Sequence, residues 1–196
     1  MMGENLQGLI LASSSPRRRQ LLEMLGVKNF KIEPAEGEEI VPPGQTPDET
    51  VRCLALAKAR EVAERCGTDA PIVAADTIVY IDGEILGKPN NEREAEQMLA
   101  RLQGRTHSVF TGVAVLFRDT ELLEAEETRV TFRKMSAAEI AAYVATGEPM
   151  DKAGAYGAQG IGSVFVEKID GDFYNVVGLP LCRLGIMLGR IGADII

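Results

Sequence analysis

Residues 12–19 read "ASSSPRRR", three consecutive arginines directly behind the helix-start pair Ser15-Pro16. A helix N-terminus carries about half a positive charge, so each cation in its first turn is disfavoured by about 0.3–1 kcal/mol. Arg17, Arg18 and Arg19 are either solvated or answered by an anion. A loop of small residues leading from a buried strand into a helix start is a good seat for one, because its N–H groups point outward. A second feature is Asp76, which interrupts the apolar run "VAADTIVYI". An uncompensated carboxylate there is costly and tends to keep its proton, so a cation, a metal or a set of donors must answer it. Asp76 is then a general base, a metal ligand, or a strand-end aspartate capping a neighbouring turn. A third is Lys58, on the face that carries Val51, Leu54 and Val62. Such a lysine usually runs its stem out to water, or it reaches a buried anionic pocket. Finally, "GEILGKP" superficially resembles a phosphate loop. Its glycines are one residue too close, and Pro89 stands where a magnesium-binding Ser or Thr is needed. It also follows a hairpin turn and opens no helix, so only Lys88 survives from it as a candidate cation.

The elements that must hold these residues alternate between strand and helix. Gly8 to Ala12 reads as a buried strand, and Pro16 opens a helix, with Ser15 as its cap, that ends at Gly26. Phe30 to Glu33 reads as a short strand, followed by a proline-rich loop with four glutamates. Thr46 and Glu49 form a capping box, predicting a helix to about Arg65. "PIVAADTIVYI" is a long strand, and Asp82-Gly83 turns it into Glu84 to Leu86. Asn91 to Leu102 is amphipathic. Two long strands follow, Ser108 to Phe117 and about Leu122 to Arg133. Ser136 and Glu139 cap another helix that stops at Gly147. "DKAGAYGAQGIG" is a glycine-rich loop, "VFVEKIDGDFYNVV" reads as a hairpin about its DG pair, and Pro180 to about Gly189 is a last helix. Hairpins among crossovers predict an α/β fold with a mixed sheet.

The 196 residues, 45% of them hydrophobic, suffice for one compact domain. The net charge of -8 argues against nucleic acid as a partner and leaves a small anion as the match for a local basic cluster. Cys53, Cys66 and Cys182 lack C-x-x-C spacing and read as reduced, core-type thiols in a cytoplasmic protein. With one histidine, His107, a zinc site is not expected, and His107 reads as structural or surface. No apolar run approaches a membrane span, and no signal peptide opens the chain.

"LILASSSPRRRQLL", "AADTIVYIDGEILGKP" and "DKAGAYGAQGIGSVFVEKIDGDFYNVVGLPL" together resemble the Maf family of nucleoside triphosphate pyrophosphatases. "MLARLQGRTHSVFTGVAV" and "TRVTFRKMSAAEIAAYVATGEPMDKAG" fit as well, so the resemblance covers nearly the whole chain. It implies one domain over residues 1–196 with the fold of inosine-triphosphate pyrophosphatases (Maf/Ham1). In that fold an elongated mixed sheet is flanked by helices, with a cleft between two lobes. It implies hydrolysis of a nucleoside triphosphate to the monophosphate and pyrophosphate with Mg2+ or Mn2+, as housekeeping of the nucleotide pool. The family's catalytic aspartate falls on Asp76, its S-x-S-P-R-R motif on Ser13 to Arg18, and its acidic-loop glutamate on Glu39, a metal ligand together with Asp76. Its lysines fall on Lys58 and Lys88, which with Ser13 and Arg18 the resemblance implies as substrate-binding residues, and its specificity positions on Arg17, Thr77 and Gln159. Neutral Gln20 departs from an acidic residue common at that point. The AGAYGxQG pattern marks the branch acting on dTTP and UTP, whereas an acidic residue near this point marks one preferring 7-methyl-GTP. The chemistry agrees, since a pyrimidine N3–H flanked by carbonyls matches a glutamine amide, which both accepts and donates. A nucleotide-binding regulator of cell division or septum formation with little turnover is the alternative, and a homodimer is compatible with either reading.

Overall fold

A computed structural model describes residues 8–27, 29–37, 40–41 and 43–195. The strands are β1 (Ile10–Leu11), β2 (Lys31–Ile32), β3 (Ile72–Ile81), β4 (Glu84–Leu86), β5 (Thr106–Phe117), β6 (Thr120–Phe132) and β7 (Val166–Asp170). The α-helices are α1 (Pro16–Met24), α2 (Pro47–Cys66), α3 (Glu92–Leu102), α4 (Ala137–Val144), α5 (Phe173–Val177) and α6 (Leu181–Arg190). The sheet runs β2-β1-β3-β5-β6-β7, with β4 paired to β3. It is mixed: β1 is parallel to both β2 and β3, while β3–β4 and β6–β7 are antiparallel. The fold is therefore α/β with a mixed sheet flanked by helices.

Most element boundaries follow from local chemistry. Thr46 and Ser136 both form complete capping boxes, with Glu49 and Glu139 as their third residues. Asp82 and Gly83 both take positive φ, 53° and 81°, the backbone that a two-residue hairpin needs. The α1 start differs from expectation. Ser15 makes no side-chain cap; its backbone N–H instead donates to Ser13 Oγ at 3.2 Å.

The chain forms two compact units. The first comprises residues 1–76, 111–126 and 178–196, and the second 77–110 and 127–177. In the first, Ala55, Ala59 and Val62 of α2 pack with Ile10, Ala12, Ile72, Ala74, Ala114 and Leu116 of the sheet region. So many alanines bring the helix backbone close to the strands. At Gly112 the approach is closest: a Cβ there would lie 2.2 Å from the Val51 carbonyl oxygen, so only glycine fits. In the second unit, α3 and α4 bury Leu99, Leu102, Ile140 and Tyr143 with Phe132, Tyr156 and Phe165.

Two expectations are corrected. Phe173–Val177 is helix α5, not the second strand of a hairpin. Asp172 Oδ1 accepts the Tyr174 N–H at 2.7 Å and starts a helical turn. The turn places the Asn175 amide on the Val109 carbonyl at 3.0 Å and on Thr128 Oγ1 at 2.9 Å. A strand there would bury that amide without these partners. Nor are the cysteines core residues: Cys53 is half-buried, while Cys66, ending α2, and Cys182, in the first turn of α6, are exposed. Among the described residues no helix is long and apolar enough to cross a membrane.

Candidate active site

Asp76 follows four fully buried residues of β3, Ile72 to Ala75, and is itself only 7% exposed. Its compensation is a cation. Lys58 Nζ donates to Asp76 Oδ1 at 2.5 Å, with the two side chains 18% and 10% exposed. The two anomalies of the sequence, a carboxylate in an apolar strand and a lysine on an apolar helix face, thus answer one another. Geometry explains how Lys58 arrives. Val51, whose carbonyl abuts Gly112, lies two helical turns before Lys58 on the same side of α2. The alanine interface sets the gap between helix and strands, and a lysine stem spans the remainder.

Near the start of α1, Ser13 is buried and its hydroxyl oxygen accepts from Arg18 Nη1 at 3.1 Å. Arg18 Nε donates to the Gly178 carbonyl at 2.7 Å. Arg18 therefore ties the helix start to the chain segment before α6. Arg19 is exposed and pairs with Glu23 one turn on, at 2.8 Å. Arg17 lies half-buried in the first turn, where no acidic residue is present.

Thr77, Lys88 and Gln159 belong to the second unit. Thr77 is half-buried and follows Asp76 directly, while Lys88 is exposed in the segment after β4. Gln159 is exposed at a turn in the glycine-rich loop. That loop is held from within. Glu148 accepts the backbone N–H of Ile161 at 2.8 Å and of Gly162 at 3.0 Å. Tyr143 donates its hydroxyl to the same carboxylate at 2.8 Å and accepts the Gly157 N–H at 3.1 Å. Burial pushes the Glu148 carboxyl up. The N–H groups of Gly162 and Ile161, the Tyr143 hydroxyl and the Lys152 charge outweigh it and hold the group below its ordinary range. Burial, with the Glu148 hydrogen bond, pushes the Tyr143 phenol up. Lys152 turns its ammonium to the Glu148 carbonyl, at 2.5 Å, and to Asp151, at 2.6 Å.

The structure thus brings together Lys58 with Asp76, and Ser13 with Arg18. Glu39 lies outside the described residues. Among the described residues, no group of three or more His, Cys, Asp or Glu side chains could hold a metal. Sequence reasoning did not single out Gly112, Tyr143 or Glu148. For Gly112 a signal existed, since a glycine inside an apolar strand marks a close backbone approach.

Comparison with known proteins matches residues 8–191 to the family model described as Maf-like protein. The chain is 49% identical over 193 residues to a dTTP/UTP pyrophosphatase of Bacillus cereus, covering 98% of this chain and 94% of the relative. It is 48% identical over 195 residues to a dTTP/UTP pyrophosphatase of Caldicellulosiruptor saccharolyticus, covering 97% and 98%. Among solved structures, a HAM1 protein from Coxiella burnetii aligns with 66% of this chain and 74% of its own. That alignment has a TM-score of 0.48 and 19% identity.

Proposed function

The chain belongs to the Maf family, and on that premise we propose that it hydrolyses dTTP and UTP to the monophosphate and pyrophosphate. The observation that carries the reading is the Lys58–Asp76 contact of 2.5 Å at an otherwise apolar strand. A carboxylate held there, with its counter-charge supplied by the protein, suits work on a phosphoanhydride better than any packing need. Relatives named dTTP/UTP pyrophosphatase, matched over nearly their whole length, support the substrate class.

Asp76 acts at the reacting phosphate, taking the proton of the attacking water or holding a divalent cation. Lys58 fixes the orientation of that carboxylate. Arg17 and Lys88 are assigned to the phosphate oxygens, where fixed cations stabilise charge growing on the leaving pyrophosphate. Arg18 and Ser13 hold the start of α1 in place. Thr77 and Gln159 are assigned to substrate selection. Asp76 offers the hard oxygen that Mg2+ or Mn2+ takes, and such ions need only one or two carboxylates beside substrate phosphates. Glu39 is the second ligand we assign. When bound, the cation supplies neutralisation of phosphate charge.

In the reaction, water adds to the α-phosphorus, the bond from that phosphorus to the β-bridging oxygen breaks, and pyrophosphate leaves with the electron pair. The test is turnover of dTTP and UTP by the purified protein in oxygen-18 water with Mg2+ or Mn2+. Label should enter dTMP or UMP, with pyrophosphate released and no orthophosphate. Label in pyrophosphate or orthophosphate, or binding without turnover, overturns the reading; the last outcome is that of a nucleotide-binding regulator.

A further inference from the structure

The loop from Gly157 to Gly162 is fastened at both ends to one pair of side chains. Its first residue donates its N–H to the Tyr143 hydroxyl, and its last two donate theirs to the Glu148 carboxylate. Tyr143 and Glu148 are hydrogen-bonded to each other, so the two fastenings form a single unit. Gln159 lies between them. The glycines report how tightly the loop is wrapped. A Cβ at Gly160 would lie 2.3 Å from Glu148 Oε2, and one at Gly162 would lie 2.5 Å from the Tyr143 hydroxyl.

A half-buried carboxylate in the middle of a loop is not needed for packing. It satisfies backbone N–H groups that a turn this tight leaves without helix or strand partners. Its approach is set from α4. The helix stops at Val144, Gly147 then turns the chain with φ of 76°, and the next residue is Glu148. The Tyr143 ring packs edge-on against Phe165 at 5.2 Å between centroids, which fixes the hydroxyl that Gly157 meets.

We propose that Glu148, acting with Tyr143, is the positioning residue for Gln159, fixing the turn from which the glutamine amide meets the pyrimidine edge. The proposal rests on the assignment of Gln159 to base selection. A site built on directed hydrogen bonds discriminates only while its donors and acceptors are held in place. Glu148 is then a determinant of specificity that touches no substrate atom.

The experiment compares Glu148→Gln, Tyr143→Phe, Gln159→Ala and the double variant Glu148→Gln/Gln159→Ala. UTP, dTTP and CTP serve as substrates, CTP differing from UTP only at the pyrimidine edge. Glu148→Gln should raise KM for UTP and dTTP by about tenfold, the effect of leaving such N–H groups unsatisfied. It should leave kcat within about twofold and narrow the preference over CTP. Tyr143→Phe, which keeps the ring against Phe165, should act in the same direction and serves if Glu148→Gln does not fold. In the Gln159→Ala background Glu148→Gln should add nothing. Amide exchange at Gly157, Ile161 and Gly162 should quicken in Glu148→Gln and in Tyr143→Phe. Additive effects in the double variant, an equal loss of kcat on all three substrates, or unchanged amide exchange overturn the proposal. If Gln159→Ala itself keeps the wild-type preference, the base-reading assignment falls, and the role of Glu148 falls with it.

Discussion

A carboxylate in an apolar strand and a lysine on an apolar helix face each break a pattern, which is why both are legible in the sequence. Their pairing is not, because it depends on how α2 lies against β3. That pairing yields a prediction. Asp76→Asn keeps the shape of the side chain but removes its charge, and kcat should fall by two or more orders of magnitude, the scale of losing acid–base chemistry. Lys58→Met should lower kcat less. If Lys58 works through Asp76, adding Lys58→Met to Asp76→Asn should cost nothing more, a non-additivity typical of contacting residues. Steady-state kinetics on UTP check this, and additive losses would detach Lys58 from Asp76. Removing one partner also leaves the other charge in a largely dry setting, so each single variant should melt below the wild type and the double variant should recover part of the difference. Glu148 shows the opposite case for legibility. Its partners are backbone N–H groups 13 and 14 residues further on, and nothing in side-chain type or spacing announces such a contact.

At the level of elements, caps and turns were readable wherever a local motif governs. The boxes at Thr46 and Ser136, the Asp82-Gly83 turn and the break at Gly26 all fall where local chemistry places them, while α4 stops at Val144, short of Gly147. Reading failed at Phe173–Val177, where the β-branched and aromatic residues favour a strand. There the local preference yields to Asn175, whose amide is satisfied by Val109 and Thr128 only from a helical turn. The glycine-rich loop is legible as a loop, but its fastening is not, since its N–H groups are held by Tyr143 and Glu148 rather than by its own sequence. The strongest element-scale consequence concerns α2 and Gly112. A methyl group there would meet the Val51 carbonyl oxygen at 2.2 Å and the Arg52 nitrogen at 2.8 Å. Both are backbone atoms, so the helix must move rather than a side chain turn aside. Overpacking of this kind costs about 1–3 kcal/mol. The helix carries Lys58 with it, and about 1 Å of misplacement at a reacting group can cost about a hundredfold in rate. Gly112→Ala should therefore lose kcat out of proportion to its fall in melting temperature. Equal kcat in a destabilised variant would reduce Gly112 to a packing residue.

At the scale of the whole molecule, the second of the two compact units holds a buried group that should make its stability sensitive to acid. The chain has one histidine, His107, and it sits in the second unit, 3% exposed. Its Nε2 shares a hydrogen bond of 2.8 Å with the Tyr156 hydroxyl, its ring packs edge-on against Phe132 and Tyr156, and its Nδ1 is buried with no partner among the described residues. Burial lowers its pKa from 6.5 to about 4. Between those values the unfolded chain binds a proton that the folded unit refuses, so stability present above pH 6.5 is lost as pH falls toward 4. The full depression is worth about 3 kcal/mol, of which about 2 kcal/mol is lost by pH 5. Down to pH 5 that window lies above the ordinary range of carboxylates, so a variant of this one residue tests the assignment. Urea unfolding of the wild type should weaken by this amount between pH 7 and pH 5. His107→Gln, which keeps a partner for Tyr156 but cannot titrate, should flatten the profile. Amide exchange compared between the two proteins at pH 5 should differ in segments around Leu99, Val109 and Phe132. Those around Ala55, Val62 and Ala114 in the first unit should match. A pH dependence that persists in His107→Gln would place the acid-sensitive group elsewhere. A difference spread evenly over both units would mean that they open as one.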